Sequence, residues 1–188
     1  MPMNDSELAA VKKLLTDERL SHTMGVVKMA KELAIRYGAD EAKAEKAAWY
    51  HDIFRRQSEA FFSFLPKSGM NAEEYPNLNL LHGPLAAKYL ELVLGEQDDE
   101  VLNAVCYHTT ARAGMGKLEK ILFIADKCEE GRSYPGVESL RELAETDLDG
   151  CVLAILKNSM EHLKQKGVAP DVLSREAIEY LSGEEYNG

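Results

Sequence analysis

Four of the five histidines and two of the aspartates form an ordered series along the chain. The series reads H…HD…H…H…D, and its members are His22, His51, Asp52, His82, His108 and Asp126. Imidazole and carboxylate groups on an apolar face are costly unless a partner satisfies them. A divalent metal ion would satisfy all of them at once, because mixed nitrogen and oxygen donors suit such ions. The series therefore predicts a metal site.

The members of the series stand on apolar stripes at helical spacing. His22 shares a stripe with Val26 and Leu33, which is the pattern of a buried helix face. His51 follows Ala44 and Ala47, small residues that would let another helix approach closely. Three further members begin or end comparable stripes: His82, His108 and Asp126. The spacing therefore turns all of these donors toward the interior.

One inward histidine is more often a hydrogen-bonded core residue than a ligand. A whole series of inward titratable groups is harder to explain in this way, since each buried polar group without a partner costs about 1–3 kcal/mol. The joint pattern therefore favours the metal. The remaining histidine, His162, stands among polar residues in NSMEHLKQK, and we expect it on a solvated face outside the site.

The composition is that of an ordinary globular chain. With 188 residues, 45% hydrophobic and 29% charged, we expect one domain over residues 1–188. A formal net charge of −10 without a basic stripe argues against nucleic-acid binding, and the apolar runs are too short to cross a membrane. The three scattered cysteines favour a reducing, cytoplasmic setting over a disulfide framework.

Hydrophobic periodicity predicts an all-α fold, a compact helical bundle. A helix is expected from Asp5 and another over 19–37, which Gly38 would end in a left-handed conformation. Asp40 is expected to cap a helix that reaches the HD pair. Further helices are predicted near 82–94, 98–107, 115–128 and 139–166, with a short last one after Pro170. The stretch 61–80 is predicted to be irregular and a candidate lid.

Five stretches carry a family resemblance. They are RLSHTMGVVKMAKELA (19–34), AAWYHDIFR (47–55), LLHGPLAAKYL (80–90), VLNAVCYHTTARAGM (101–115) and KILFIADKCEEGRSYPGVESLRELA (120–144). In them the chain resembles the HD-domain metal-dependent phosphohydrolases and, among these, the bacterial symmetrical bis(5′-nucleosyl)-tetraphosphatases of the YqeK type. The HD pair is generic, whereas YHTTARAGM and ADKCEEGRSYPGV are specific. The resemblance implies an HD-type helical domain with a motif core at about 19–144, on which C-terminal helices at about 139–182 pack.

The resemblance also implies roles for the series. It assigns the ligands of a first metal ion, namely His22, His51, Asp52 and Asp126. The implied catalytic residues are Asp52, His82 and His108. The two histidines would either complete a second metal site bridged by Asp52 or hydrogen-bond the phosphate directly. The implied ion is iron, with manganese or zinc as alternatives, and one or two ions are expected.

The implied reaction is symmetrical hydrolysis of a dinucleoside tetraphosphate, such as diadenosine tetraphosphate, into two ADP by a metal-activated water. ADP or GDP is expected as a product-like ligand. The implied substrate contacts are Arg19, His22, Asp52, Ile53, Phe54, Arg55, His82, His108, Thr109, Asp126, Arg132, Pro170, Asp171, Val172, Leu173, Ser174 and Arg175. The last six are expected to close over the base or ribose.

Several alternatives stay open on the sequence alone. A nucleotide sensor that binds without turnover would carry the same ligand series, and a nucleotidase or phosphodiesterase could use the same scaffold. A helical interaction protein could hold the inward polar groups in a buried network. The chain could act as a monomer or a homodimer.

Overall fold

The structure is a computed structural model that describes residues 3–55, 58–75 and 77–183. Across these ranges it contains ten α-helices and no strand. The helices are α1 (Asp5–Lys12), α2 (Asp17–Tyr37), α3 (Glu41–Tyr50), α4 (Glu59–Ser68), α5 (Leu78–Leu94), α6 (Asp99–Tyr107), α7 (Lys117–Cys128), α8 (Val137–Ala144), α9 (Leu148–Gln165) and α10 (Val172–Ser182), with a short 3-10 turn at Ala72–Glu74. The prediction of an all-α fold is confirmed. Among the described helices, none combines the length and apolar character needed to span a membrane.

The two predicted capping residues, Gly38 and Asp40, lie at helix ends as expected. Gly38 ends α2 with φ +62°, a left-handed conformation that glycine adopts without steric cost. The Asp40 side chain accepts hydrogen bonds from the first-turn N–H groups of α3. Helix α2 begins two residues earlier than predicted, because the Thr16 hydroxyl accepts from the N–H of Arg19.

The prediction of an irregular stretch over 61–80 is wrong. Ser58 caps a helix by accepting from the N–H of Phe61, and Phe61 and Phe64 are buried beneath it. Pro66 lies in the last turn of α4, where its missing N–H removes a single backbone hydrogen bond near the end of the helix. Only the short segment between α4 and α5 departs from α-helix among the residues described there.

The single helix predicted over 139–166 is instead two helices. Helix α8 ends at Ala144, and the Asp147 side chain begins α9 by accepting a hydrogen bond from the N–H of Gly150 at 2.9 Å. Periodicity alone missed this break, because apolar residues continue on both sides of it.

Helix α7 lies at the centre of the packing. It contacts α2, α3, α6, α8 and α9, and it is buried on nearly all sides from Leu118 to Cys128. A helix that is apolar around its circumference is typical of such a central position. Because α7 is central, Asp126 in its last turn can meet side chains from several neighbouring helices.

Helix α3 packs closely against α2 and α6 through small side chains. Ala44, Ala47 and Ala48 are almost fully buried, as the sequence pattern predicted. This close packing places the end of α3, and with it the HD pair, in the interior.

The packing predicts that a larger residue at Ala47 destabilises the fold. We expect Ala47→Leu to lower the free energy of unfolding by about 1–3 kcal/mol, because added methylenes in a filled core force neighbours apart. Urea unfolding would measure the change. Ala9→Leu, on the exposed face of α1, is the matched control and should stay within about 0.5 kcal/mol of the unchanged chain. Equal stability of the two variants would contradict the packing account.

Candidate metal centre

The six residues of the histidine and aspartate series meet at one place, although they come from five helices and one turn. His51 and His108 stand at the C-terminal ends of α3 and α6. His22 and His82 lie near the beginnings of α2 and α5, and Asp126 lies in the last turn of α7. Asp52 occupies the turn after α3. All six are buried.

A first group of donor atoms surrounds one point. The Nε2 of His22 lies 3.0 Å from Asp126 Oδ1 and 3.8 Å from Asp52 Oδ2. The Nε2 of His51 lies 3.7 Å from Asp52 Oδ2 and 3.8 Å from Asp126 Oδ1. Bonds from an ion to such donors are about 2.0–2.2 Å, so donors around one ion stand about 3–4 Å apart. Donor atoms of His22, His51 and Asp52 lie within 4.8 Å of one another, a spacing suited to one cation, and Asp126 lies beside them.

A second group shares Asp52. Its other oxygen, Oδ1, lies 3.1 Å from His82 Nε2 and 3.7 Å from His108 Nε2. The two imidazole nitrogens are 3.0 Å apart, and Thr109 Oγ1 lies 3.2 Å from His108 Nε2. The Asp52 carboxylate thus presents one oxygen to each group.

The backbone orients three of the four imidazoles in the same way. The Nδ1 atoms of His51, His82 and His108 lie 2.6, 2.5 and 2.7 Å from carbonyl oxygens three residues earlier in the chain. A carbonyl only accepts, so each Nδ1 carries the proton. In the neutral ring this leaves the lone pair on Nε2, the atom that points into the centre.

A glycine lets α5 approach α6 beside the second group. A Cβ on Gly83 would lie 2.8 Å from the carbonyl oxygen of Cys106 and 3.1 Å from His108 Nδ1. Any side chain there would push the helices apart. Gly83 therefore allows the contact between the His82 and His108 rings.

The electrostatics of the centre favour ionised Asp52 and Asp126 and neutral imidazoles at His51 and His82. Burial opposes ionisation of Asp52, yet the charges and hydrogen bonds of the surrounding histidines, His51 first, hold its pKa well below the usual range. Burial likewise opposes ionisation of Asp126, and Lys127 and then His22 outweigh it, so this pKa is also lowered. Burial lowers the pKa of His51 to about 4 and lowers that of His82. These are the protonation states in which such groups bind metals.

One orphaned atom tests whether a cation fits. His51 is fully buried, and its Nε2 has no hydrogen-bond partner. A buried polar atom without a partner is costly, and such atoms need an explanation. A cation between the first-group donors would satisfy His51 Nε2 while neutralising two carboxylates. The residues therefore fit a divalent metal ion.

Cationic side chains border the centre. Arg19 donates to Asp52 Oδ2 at 2.9 Å, and Arg132 donates to Asp126 Oδ1 at 3.0 Å. Lys127 also donates to the Asp126 carboxylate, and Arg55 Nη1 lies 3.3 Å from the His82 ring. Positive charge is therefore concentrated at the centre of a chain whose net charge is −10.

A cleft of about 1080 Å³ opens onto these groups. One set of lining residues belongs to the charged centre, namely Arg19, Asp52, Arg55, Thr109, Asp126, Lys127 and Arg132. The other set comes from the segment before and within α8 and from α9, and includes Tyr134, Leu140, Ile155, Asn158, Ser159, His162 and Gln165. Glu161 also lines this second part, so the cleft joins a cationic region to a polar, partly apolar one that carries an acidic side chain.

The other predicted contact residues lie apart from this lining. Ile53 and Phe54 are almost fully buried, and the Phe54 ring stacks on Phe64 with centroids 5.5 Å apart. In the segment 170–175, Asp171 caps α10 and Val172 is exposed, while Ser174 donates to the carbonyl of Thr110 at 2.7 Å. Ser174 thus ties this segment to the residue next to Thr109. Pro170 and Leu173 are half-buried, and Arg175 is exposed.

Sequence reasoning missed three residues near the centre. Lys127 contacts Asp126, and Glu129 Oε1 lies 3.1 Å from His22 Nδ1. His162 is exposed as predicted, but it lines the cleft and was excluded from the site. The spacing of Glu129, three residues after Asp126 along the end of α7, was the available signal for its position.

Known proteins match the chain over most of its length. The HD domain family matches residues 19–131. The protein of Bacillus subtilis (strain 168) named bis(5′-nucleosyl)-tetraphosphatase, symmetrical, is 42% identical over 174 residues, which cover 90% of this chain and 94% of that relative. A protein of the same name from Staphylococcus aureus (strain NCTC 8325 / PS 47) is 35% identical over 167 residues, which cover 84% of this chain and 83% of that relative.

A solved structure agrees with these sequence matches. The crystal structure of a Clostridium acetobutylicum protein, described as a predicted HD superfamily hydrolase involved in NAD metabolism, superposes with a TM-score of 0.88. It is 32% identical, and the match covers 97% of this chain and 99% of that protein. The fold, the donor cluster and the extent of these matches agree, and the chain belongs to the HD-domain superfamily and, within it, to the family of the symmetrical bis(5′-nucleosyl)-tetraphosphatases.

Proposed function

We propose that this chain hydrolyses dinucleoside tetraphosphates symmetrically, with diadenosine tetraphosphate as substrate and ADP as product. One observation carries the proposal: four imidazoles and two carboxylates converge where a large cleft meets a cluster of cations. Family membership indicates which reaction this arrangement serves.

The first group is proposed to hold the ion through His22, His51, Asp52 and Asp126. The mixed imidazole and carboxylate set suits iron, and we propose iron as the ion, with manganese or zinc as alternatives. When bound, a divalent cation supplies Lewis acidity, which polarises a phosphoryl oxygen and acidifies water. The Asp52 carboxylate would also fix the position of the ion relative to the second group, because one of its oxygens faces each group.

The cysteines take no part in the proposed site. All three are free, and none belongs to the donor clusters found among the described residues. Free thiols fit a reducing environment, and we propose a cytoplasmic location on this basis.

His82 and His108 are proposed to act on the phosphate side of the centre. Their Nε2 atoms are 3.0 Å apart and both Nδ1 protons are engaged by carbonyls, so two bare lone pairs would face each other. A shared proton, available to a phosphate oxygen, or a second cation satisfies this contact. Both alternatives place positive charge beside Asp52 and Thr109.

The cationic lining is proposed to bind the polyphosphate. Arg19, Arg55, Lys127 and Arg132 line the cleft next to the donor groups. Phosphoryl transfer depends mainly on positioning and on neutralising charge at the transferring group, which guanidinium and ammonium groups supply. Asn158 and Gln165 on α9 extend the cleft with amide groups suited to a base or ribose.

Cleft size agrees with a substrate larger than one nucleotide. Pockets for small molecules usually measure about 300–1000 Å³, and this cleft, at about 1080 Å³, slightly exceeds that range. A symmetrical cut requires one nucleoside diphosphate half to be held with its terminal phosphate at the donor groups. The residues that bind ADP would therefore also set the cleavage position.

The proposal predicts the products. Metal-loaded protein incubated with diadenosine tetraphosphate should yield ADP alone, because the cut falls between the second and third phosphates. Chromatographic separation of the products would measure this. AMP together with ATP would exclude a symmetrical cut, and absence of turnover with tight substrate binding would favour a nucleotide sensor.

Asp52 should be indispensable for turnover. We expect Asp52→Asn to lower kcat by at least about 100-fold, since it removes a charge shared by both donor groups at nearly constant volume. Initial rates would measure kcat, and circular dichroism would check that the helices persist. Asp99→Asn, at the exposed start of α6, is the matched control and should keep the rate of the unchanged chain. A fully active Asp52→Asn protein would remove Asp52 from the proposed centre.

A cation bound at the first group should stabilise the fold. Addition of Mn²⁺ to chelator-treated protein at 100 times its Kd should add about 2.7 kcal/mol, which corresponds to a rise in Tm of about 5–10 °C. His51→Gln should lose most of this rise, because it removes a fully buried donor. Differential scanning calorimetry of each variant with and without Mn²⁺ would measure the rise, and Asp99→Asn should retain it. An equal rise in the His51 variant would place the ion elsewhere. Metal analysis of protein purified without chelator would identify the native ion.

A further inference from the structure

A third buried carboxylate lies behind the first donor group. Glu129, directly after α7, is 4% exposed, and its Oε1 lies 3.1 Å from Nδ1 of His22. Its Oε2 accepts a hydrogen bond from the N–H of Gly131 at 2.5 Å. The contact is on the side of the ring opposite to Nε2, which faces Asp52 and Asp126. Glu129 therefore contacts the proposed ligand without belonging to the first donor group.

His22 differs from the other three histidines in how Nδ1 is bound. In those three, the acceptor is a carbonyl three residues earlier in the chain. The carbonyl three residues before His22 belongs to Arg19, in the first turn of α2, and no contact joins it to the ring. The Glu129 carboxylate takes its place as the Nδ1 acceptor. Nε2 of His22 also faces a carboxylate, Asp126 Oδ1 at 3.0 Å. A cation held between Nε2 and Asp126 would take the Nε2 lone pair, and Glu129 would then accept the remaining ring proton from Nδ1.

Two glycines leave room for this carboxylate. Gly25 lies in the middle of α2, where glycine costs about 1 kcal/mol relative to alanine. A Cβ on Gly25 would lie 3.1 Å from Cδ of Glu129 and would overlap its Oε2. A Cβ on Gly131 would lie 3.0 Å from the same oxygen. The position of the Glu129 carboxylate thus accounts for an otherwise unfavourable glycine one turn after His22.

Helix α8 holds the backbone that carries Glu129. Arg141 donates to the carbonyls of Cys128, Glu129 and Arg132 at 2.7, 2.8 and 2.7 Å. A planar guanidinium bound to three carbonyls fixes the segment in one conformation. The carboxylate is therefore presented to His22 from a rigid support.

We propose that Glu129 is a positioning residue for the metal centre: it fixes the tautomer and orientation of His22 so that Nε2 binds the ion. The proposal rests on the metal centre of the proposed function. In metal sites, a carboxylate often holds the second ring nitrogen of a metal-bound histidine. Mutation of such a carboxylate lowers metal affinity by about 10–100-fold. Glu129→Gln should therefore weaken metal binding by about 10–100-fold.

The test measures Mn²⁺ binding by the full-length chain in the absence of substrate. Chelator-treated protein is titrated with Mn²⁺, and the free ion is followed by electron paramagnetic resonance. Glu130→Gln is the matched control, because the adjacent Glu130 is exposed, loses the same charge and pairs only with Lys28 among the contacts described. We expect the Kd to rise in Glu129→Gln and to stay within twofold in Glu130→Gln. Equal Kd values in the two variants would overturn the proposal.

A steric variant tests the same contact without changing charge. Gly25→Ala should displace the Glu129 carboxylate and raise the Kd for Mn²⁺, whereas Gly25→Ala added to Glu129→Ala should raise it no further. Thermal unfolding of the metal-free variants shows which of them are folded. If Glu129→Gln fails to fold, the Gly25→Ala pair decides. An additive effect of Gly25→Ala in both backgrounds would refute the contact.

A spectroscopic measurement separates positioning from general stability. Zinc on Nε2 would by itself require a proton on Nδ1, so the measurement uses chelator-treated protein. There, ¹⁵N chemical shifts of His22 should report a larger population protonated at Nδ1 in the unchanged chain than in Glu129→Gln. An unchanged tautomer population would overturn the positioning role.

The failure of this proposal can be distinguished from failure of the proposed function. Wild-type protein that binds Mn²⁺ but cleaves no tetraphosphate would reject the proposed function alone. Wild-type protein that binds no divalent ion would reject the metal centre and the role of Glu129 together.

Discussion

Asp52 is the constraint on which the rest of the centre depends. Its carboxylate is buried. The carboxylate oxygens lie within 4 Å of the Nε2 atoms of all four histidines and of Nη1 of Arg19. Removing such a charge from water costs several kcal/mol unless close partners replace the lost hydration. The helices supply these partners from every side, so the fold must bring α2, α3, α5 and α6 together to accommodate one anion. The Asp126 carboxylate, on the other side of the first group, carries the same cost of burial, and Lys127 and Arg132 are the cations that pair with it.

Helix ends and glycines solve the packing problem that this convergence creates. Side chains at the ends of α3 and α6 lie near backbone carbonyls that the helix leaves free, and these carbonyls hold the rings of His51 and His108. Gly83 lets two helices approach where a side chain would separate them, and Gly25 makes room for a carboxylate beside α2. Each glycine gives up helix propensity for a specific contact at the centre.

Much of this could be predicted from the sequence, because helical periodicity and capping are local properties. The inward faces of His22 and His82, the end of α2 at Gly38 and the cap at Asp40 all follow from spacing of a few residues. The break between α8 and α9 did not follow, since apolar residues continue across it. Glu129 was missed although its spacing after Asp126 was a local signal, because its contact with His22 joins residues 107 positions apart. His162 was missed because it is an exposed residue that only the fold places along the cleft.

The pairing of the cations links the two halves of the proposed function. Arg19 and Arg132 donate to Asp52 Oδ2 and Asp126 Oδ1, the same oxygens that face His22 and His51. A guanidinium and a divalent ion on the same oxygen repel each other, because both are positive and close. With a cation at the first group, as we propose, the two arginines would be better placed toward anionic phosphates in the cleft than toward the carboxylates. The charge that pairs with the two carboxylates would thus be the charge available to the proposed substrate, and a chain with a net charge of −10 could in this way bind a polyanion.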